Sequence, residues 1–106
     1  MQGQKDPEFE KLYVVVKSPE GTMFEGNAQT VSSVNDKGLF DILPNHANFI
    51  SIIKEKVTIY IDKNQKREFN IDRGIVRLYK NTVFIFLGIE TIIGQNNKIN
   101  LSTSPN

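Results

Sequence analysis

The chain has 106 residues, a formal net charge of +1 and no cysteine. This length suits a single domain with one hydrophobic core. The lack of cysteine excludes disulfides and thiolate chemistry, and the near-neutral charge without a basic stripe argues against nucleic-acid binding. No stretch approaches the roughly 20 apolar residues of a membrane span, and the first residues lack the apolar core of a secretory signal.

The first third of the chain predicts three short strands. Residues 1–10 include Asp-Pro-Glu-Phe, a typical cloning-linker sequence, and we expect them to be a disordered N-terminus or a tag. The β-branched run Leu-Tyr-Val-Val-Val predicts a strand covered on both faces, and Ser-Pro-Glu-Gly predicts a turn after it. The next two strands, Thr-Met-Phe-Glu-Gly and Gln-Thr-Val-Ser-Ser-Val, are expected to separate near Gly26.

The middle of the chain is the least regular part. It contains the only histidine, His46, in a turn built on Pro44 and Asn45. The apolar residues between 46 and 53 fit either one helical turn or a strand, and the proline and asparagines argue against a long helix.

The following residues alternate between apolar and polar, which predicts four strands. The residues expected on shared apolar faces are Val57, Ile59 and Ile61, then Phe69 and Ile71, then Val76 and Leu78, then Val83, Ile85 and Leu87. Turns are expected at residues 62–66 and at Lys80 and Asn81. The close spacing of these short strands predicts an all-β fold, an antiparallel β-sandwich of about eight to ten strands.

The sequence offers no constellation for catalysis. A single histidine without cysteine cannot form a zinc site, and the acidic residues are too scattered for a hard-cation site. No glycine-rich loop precedes a helix, so no phosphate cradle is predicted. We therefore expect no catalytic residue, no metal site and no cofactor, and we interpret His46 as a residue that forms the turn or contacts a partner.

A set of turn and strand residues follows a recognisable order. Its members are Ser18, Phe24, Gly26, Gly38, Ile42, Leu43, Pro44, His46, Ala47, Gly74, Asn81 and Val83. This order resembles that of the N-terminal β-sandwich domain of the epsilon subunit of F-type ATP synthases. The Leu-Pro-x-His-Ala turn with the upstream Phe-x-Gly is the most specific part of the resemblance.

The resemblance implies a non-catalytic rotor subunit at the foot of the central stalk, on the cytoplasmic face of the plasma membrane. In that family the domain binds the gamma subunit and rests on the polar loops of the membrane c-ring, without spanning the membrane itself. The implied contact residues are Asn35, Asp36, Lys37, Gly38 and Leu39 in one turn, and Pro44, Asn45 and His46 in the next. Both turns are expected at the end of the sandwich that faces the ring and gamma.

Two departures from the family pattern affect this interpretation. The carboxylate that the family commonly presents to the ring falls at Leu39, and Asp36 or Asp41 is expected to replace it. Asn45 stands where the family has glycine, and asparagine tolerates the positive φ that such a site requires.

The domain is expected to cover residues 11–94, followed by a polar tail at residues 95–106. Many epsilon subunits continue into a C-terminal helical hairpin, which we expect this chain to lack, either because the protein is naturally a single domain or because the sequence is shortened.

The alternative is a stand-alone β-sandwich that binds a small ligand, such as a sugar, or another protein. Stacking of a sugar would require exposed aromatic side chains on one face, and the candidates are Tyr60, Tyr79, Phe84 and Phe86. The same residues also suit a sheet-on-sheet core or a protein interface. An enzyme of unrecognised type is the least favoured interpretation.

Overall fold

A computed structural model describes residues 10–88, and within this range the regular structure consists of seven β-strands. The strands are β1 Leu12–Ser18, β2 Gly21–Ala28, β3 Thr30–Asn35, β4 Gly38–Ile42, β5 Phe49–Asp62, β6 Gln65–Tyr79 and β7 Thr82–Leu87. They form one hydrogen-bonded sheet in the order β2-β1-β7-β6-β5-β3-β4. Neighbouring strands are antiparallel except β1 and β7, which are parallel. Within these residues no helix is long and apolar enough to cross a membrane.

The single sheet folds onto itself because its two longest strands, β5 and β6, belong to both layers. Residues 49–54 of β5 and 73–78 of β6 pair with each other, and this half of β6 also pairs with β7. Residues 55–62 of β5 pair with the first half of β6 and, from Val57 onward, with β3. The five-stranded layer consists of β2, β1, β7, residues 49–54 of β5 and residues 73–78 of β6. The four-stranded layer consists of β4, β3, residues 55–62 of β5 and the first half of β6.

A set of irregularities marks the bend between the layers. The register shifts after Lys54, where Asp72 is an extra residue on β6 and Glu55 has a φ of 73°. Opposite β3, residues 55 and 56 of β5 have no partner, and the Ser33 hydroxyl donates to the Lys56 carbonyl at 2.6 Å. Lys56 has no partner on β3, so this bond gives its carbonyl a donor. It also satisfies the hydroxyl of Ser33, which is buried.

Gly74 lies beside the bend, where the strands approach closely. A Cβ atom at this position would lie 2.7 Å from the Phe86 carbonyl oxygen and 3.1 Å from the Leu87 side chain. The sequence therefore needs glycine here because a larger residue would collide with the neighbouring backbone.

The core lies between the two layers. Its fully buried side chains are Leu12, Val14, Val16, Ala28, Val31, Ile42, Ile53, Val57, Ile59, Val76, Leu78, Val83 and Ile85. These residues come from all seven strands, so the edge strands β2 and β4 contribute to the same hydrophobic core. The predicted alternation in β5, β6 and β7 is thereby confirmed.

The expected all-β sandwich is confirmed, but its strands are longer and fewer than the predicted short ones. The predicted strands around Phe69 and Val76 are one continuous β6, because the extra Asp72 bends the ladder without ending it. Gly26 does not separate two strands, since it pairs with Val14 inside β2. Residues 49–53 are strand rather than helix.

The expectations for residues 1–9 and 89–106, including the polar tail and the absent helical hairpin, lie outside the described residues.

Candidate partner-binding surface

The turn between β3 and β4 is held in one conformation by its own side chains. The Lys37 N–H donates to Asn35 Oδ1 at 2.8 Å, and the Asn35 amide donates to the Ser51 hydroxyl at 3.3 Å. Gly38 has a φ of 114°, a backbone conformation that favours glycine. The turn thus presents a fixed, polar tip.

Both candidate carboxylates near this turn reach solvent. The Asp36 side chain is fully exposed at the tip and lies 4.0 Å from the Lys54 ammonium group. Asp41 lies on the same face of β4 as Leu39 and accepts a hydrogen bond from the Ser32 hydroxyl at 2.5 Å. Leu39 itself is 75% exposed, so this position offers an apolar contact where a carboxylate was expected from the family.

The second predicted turn, between β4 and β5, is hydrogen-bonded to the turn of the β6–β7 hairpin. Asn45 has a φ of 69°, as predicted, and its N–H donates to Asn81 Oδ1 at 2.6 Å. Asn81 lies in the β6–β7 turn, where the positive φ values of Lys80 and Asn81 are those of a type I′ hairpin turn. The Lys80 N–H in turn donates to Asn48 Oδ1 at 2.9 Å. Two turns that are distant in sequence therefore form one braced unit.

His46 sits on this braced unit with an exposed side chain. Its N–H donates to the Leu43 carbonyl at 3.2 Å, its Nδ1 lies 2.9 Å from the Ala47 carbonyl oxygen, and its ring packs 5.2 Å from that of Phe49. Among residues 10–88, no cluster of three or more acidic or histidine side chains could hold a metal ion. The imidazole thus contacts its own loop and an aromatic ring, an arrangement that suits a turn or contact residue.

The two predicted turns do not form one contiguous surface. They lie at opposite ends of β4, whose five residues separate them by roughly 14 Å at the rise of an extended strand. The expectation that both turns share one end of the sandwich therefore needs correction, because the residues between them are fully extended. Their role in binding a partner stays a prediction.

A third surface lies apart from the two predicted turns and contains three of the aromatic residues that the sequence offered for a protein interface, Tyr79, Phe84 and Phe86. The outer side of the five-stranded layer carries a continuous group of apolar side chains, which we call the apolar face: Ile50, Ile52, Ile75, Tyr79, Phe84 and Phe86. Ile50 is 67% exposed and Ile52 is 59% exposed. The rings of Phe84 and Phe86 stack at 6.4 Å, and the Arg77 guanidinium lies over the Tyr79 ring. Exposed apolar groups of this extent, with aromatic and arginine side chains, are typical of protein interfaces.

The sequence contained a signal for this face. Within Phe-Ile-Ser-Ile-Ile, the side chains of Ile50 and Ile52 alternate with those of Ser51 and Ile53, but His46, Phe49, Ile50 and Ile53 also fall at helical spacing. Only the pairing of Ile52 with Ile75, and of Ile75 with Phe86, places them on one outer surface. The four aromatic candidates for sugar stacking are divided between the layers, since Tyr60 lies on the four-stranded layer.

One titratable group beside the apolar face has a shifted pKa. The Tyr13 hydroxyl donates a hydrogen bond to the Glu25 carboxylate across β1 and β2. This bond, followed by desolvation and by the negative charge of Glu25, raises the pKa of Tyr13.

Comparisons with known proteins agree with the fold. The family model for the β-sandwich domain of the ATP synthase delta/epsilon chain matches residues 11–88. The ATP synthase epsilon chain of Campylobacter curvus (strain 525.92) is 27% identical over 97 residues, which cover 91% of this chain and 75% of the relative. That of Maricaulis maris (strain MCS10) is 38% identical over 61 residues, which cover 57% of this chain and 46% of the relative.

Solved structures show the same fold at low sequence identity. A chain of the Euglena gracilis mitochondrial ATP synthase (OSCP, F1 and c-ring) superposes with a TM-score of 0.68 and 10% identity, over 82% of this chain and 54% of that one. A chain from the central stalk and c-ring of the Tetrahymena thermophila enzyme superposes with a TM-score of 0.61 and 16% identity, over 74% and 63% of the two chains.

The family match covers nearly the whole described sandwich and includes both predicted turns. It confirms the resemblance drawn from the Phe-x-Gly and Leu-Pro-x-His-Ala residues. The chain therefore belongs to the ATP synthase delta/epsilon family, and residues 11–88 form its β-sandwich domain.

Proposed function

We propose that this chain is a non-catalytic central-stalk subunit of an F-type ATP synthase. It binds the gamma subunit and the polar loops of the c-ring at the cytoplasmic face of the plasma membrane, and it couples ion-driven rotation to ATP synthesis. The proposal is supported by the family match over residues 11–88 and by relatives named ATP synthase epsilon chain.

The apolar face is the observation that carries the proposal, and we assign it to gamma. Full burial of an isoleucine side chain contributes about 1.5–3 kcal/mol, and Ile50 and Ile52 leave more than half of their surface in water. Their burial against a partner would therefore stabilise a complex substantially. A subunit that transmits torque requires a partner of this kind, because loss of contact would uncouple it from the rotor.

The polar turns suit the c-ring better than the apolar face does. The tip at Asn35, Asp36 and Lys37 presents charged and amide groups that can pair with polar loops. The braced turn at Pro44, Asn45 and His46 is a second contact point, about one strand length away. The c-ring contact therefore involves two separate points rather than one patch.

The hydrogen bonds between distant turns suit a subunit that transmits torque. Asn45 and Asn81 connect two turns that are 36 residues apart, and the Tyr13 N–H donates to the Asn81 carbonyl at 2.9 Å. Together with the shared core, these bonds oppose movement of one layer against the other.

The direct test is size-exclusion chromatography with light scattering on this chain mixed with the gamma subunit from the same genome. The wild-type chain is expected to form a one-to-one complex. Ile52→Glu should abolish it, because a carboxylate would be buried in an apolar interface. Asn70→Glu adds the same charge at an exposed site on the four-stranded layer and should retain the complex.

Separate peaks for the wild-type chain and gamma would contradict the proposal. Equal binding by both variants would leave a stalk complex but remove the apolar face from it. Far-ultraviolet circular dichroism of each variant checks that the fold is intact.

A further inference from the structure

The described sheet ends in two edge strands, β2 and β4, and they are protected very differently. Exposed edges can pair with other chains, and natural proteins often protect them with bulges and charged side chains. β2 has a register shift near Met23, whose carbonyl accepts a hydrogen bond from Arg67 at 3.5 Å. The Arg67 guanidinium also lies over the Phe24 and Phe69 rings. This edge is therefore interrupted and covered.

The β4 edge is regular. Its five residues pair with β3 without a register shift, from Asn35–Gly38 at the turn to Val31–Ile42 at the far end. In an antiparallel ladder, hydrogen-bonded pairs alternate with non-hydrogen-bonded pairs, and the pair that closes a two-residue turn is hydrogen-bonded. The N–H and C=O groups of Leu39 and Asp41 therefore point away from β3, toward the open edge.

The side chains of Leu39 and Asp41 give this edge one apolar and one acidic contact point. Leu39 is 75% exposed, and the exposed Asp41 carboxylate is fixed by the Ser32 hydroxyl. A shallow groove of about 320 Å³ runs beside them toward Lys56 and Tyr60. An incoming strand would thus meet an apolar side chain and, two residues further on, a carboxylate with space beside it.

We propose that β4 binds an extended segment of another chain as an added strand. The segment carries a basic residue opposite Asp41 and an apolar residue, two positions away, opposite Leu39. Backbone hydrogen bonds to the outward groups of Leu39 and Asp41 provide the general affinity, and the two side-chain contacts select the segment. This inference does not depend on the gamma contact that we propose at the apolar face, because it concerns an edge strand outside that face.

The test uses a blocked synthetic peptide, acetyl-Thr-Val-Thr-Lys-Thr-Val-Thr-amide, whose valines flank the lysine so that either strand direction is possible. Titration into the isotopically labelled chain should shift the backbone amide signals of residues 38–42 first. A peptide methylated on every backbone nitrogen has no N–H to donate from either edge, so it cannot add to a sheet edge and should not produce these shifts.

Three variants sharpen the test. Asp41→Lys replaces an attractive charge pair with a repulsive one and should weaken binding about fivefold to tenfold. Glu68→Lys makes the same change on β6, three strands from the edge, and should change binding less than about twofold. Leu39→Pro removes an outward N–H without disturbing the bonds to β3 and should abolish binding.

Unchanged signals for residues 38–42 at excess peptide would overturn the proposal. Equal effects of the methylated and unmethylated peptides would also overturn it, because they would exclude strand addition. A concentration-dependent dimer that Leu39→Pro disrupts would identify a second copy of this chain as the occupant, and would overturn the proposal as stated.

Discussion

The outer faces of the two layers differ in composition although two strands pass through both. β5 exposes Ile50 and Ile52 on the five-stranded layer, and it places Lys56 and Tyr60 on the outside of the four-stranded layer. The alternation has the same period throughout, so the secondary structure does not explain the difference. The outer face of the five-stranded layer is therefore the more apolar of the two, and it is the face that we propose for gamma.

The bend lets one strand serve both layers without a break in the core. In β6 the inward residues are Phe69 and Ile71 before the bend, and Val76 and Leu78 after it. These positions are not separated by a multiple of two, and the extra residue Asp72 accounts for the change of phase. A bulge thus keeps apolar side chains inward on both sides of a bend.

The largest expected effect comes from substitution at the bend itself. Gly74→Ala would place a methyl group 2.7 Å from the Phe86 carbonyl oxygen, and we expect the free energy of unfolding to fall by about 2–3 kcal/mol. Urea unfolding of the isolated chain measures this change. Gly26→Ala is the matched control, because its nearest neighbour would be a Phe24 side-chain atom at 3.7 Å. Equal stability of the two variants would show that β6 and β7 can move apart beside the bend without loss of stability.

A smaller effect is expected on the four-stranded side of the bend. Ser33→Ala would remove the part-buried hydrogen bond to the Lys56 carbonyl and should lower the free energy of unfolding by about 1–2 kcal/mol. Ser32→Ala removes a similar bond to exposed Asp41, whose carboxylate can bind water instead, so its effect should be within about 0.5 kcal/mol. The same urea titration compares the two variants. A larger loss of stability in Ser32→Ala than in Ser33→Ala would contradict the role given to the Ser33–Lys56 hydrogen bond.

His46→Ala should leave the isolated fold almost unchanged while it weakens the proposed stalk complex. The imidazole is exposed, and its described contacts are confined to its own loop and Phe49. We expect a change within about 0.5 kcal/mol in urea unfolding. Chromatography with gamma and the c-ring then reports the effect on binding. Severe unfolding of the isolated variant would instead make His46 a structural residue.

The smallest expected effect concerns pH at the border of the apolar face. Glu25 raises the pKa of Tyr13, so the folded chain holds this proton more tightly than the unfolded chain does. Its contribution to stability is present below the ordinary tyrosine pKa of about 10 and is lost as pH rises through the higher folded value. Ultraviolet titration in a Tyr60→Phe, Tyr79→Phe background should show a lower midpoint after Glu25→Gln. An unchanged midpoint would mean that Glu25 does not control this proton.

Local features were the most predictable part of the molecule. The positive φ at Asn45 and the turn at Lys80 and Asn81 follow from the tolerance of asparagine for left-handed backbone, and the structure has both. The inward positions of Val57, Ile59, Val83 and Ile85 follow from strict alternation. The motif residues also predict the family, which the family model confirms over residues 11–88.

The alternation in β5, β6 and β7, the tight turns at Asn45 and at Lys80 and Asn81, and the family of the chain could all be predicted from adjacent residues and short motifs. Three features could be seen only in the folded chain: β5 and β6 each continue through a bend, Ile50 and Ile52 face outward, and the two predicted turns lie at opposite ends of β4. The physical reason is that alternation depends on adjacent residues, whereas the covered face depends on pairing between distant strands. Ile52 lies on the apolar face because it pairs with Ile75, and Ile75 with Phe86.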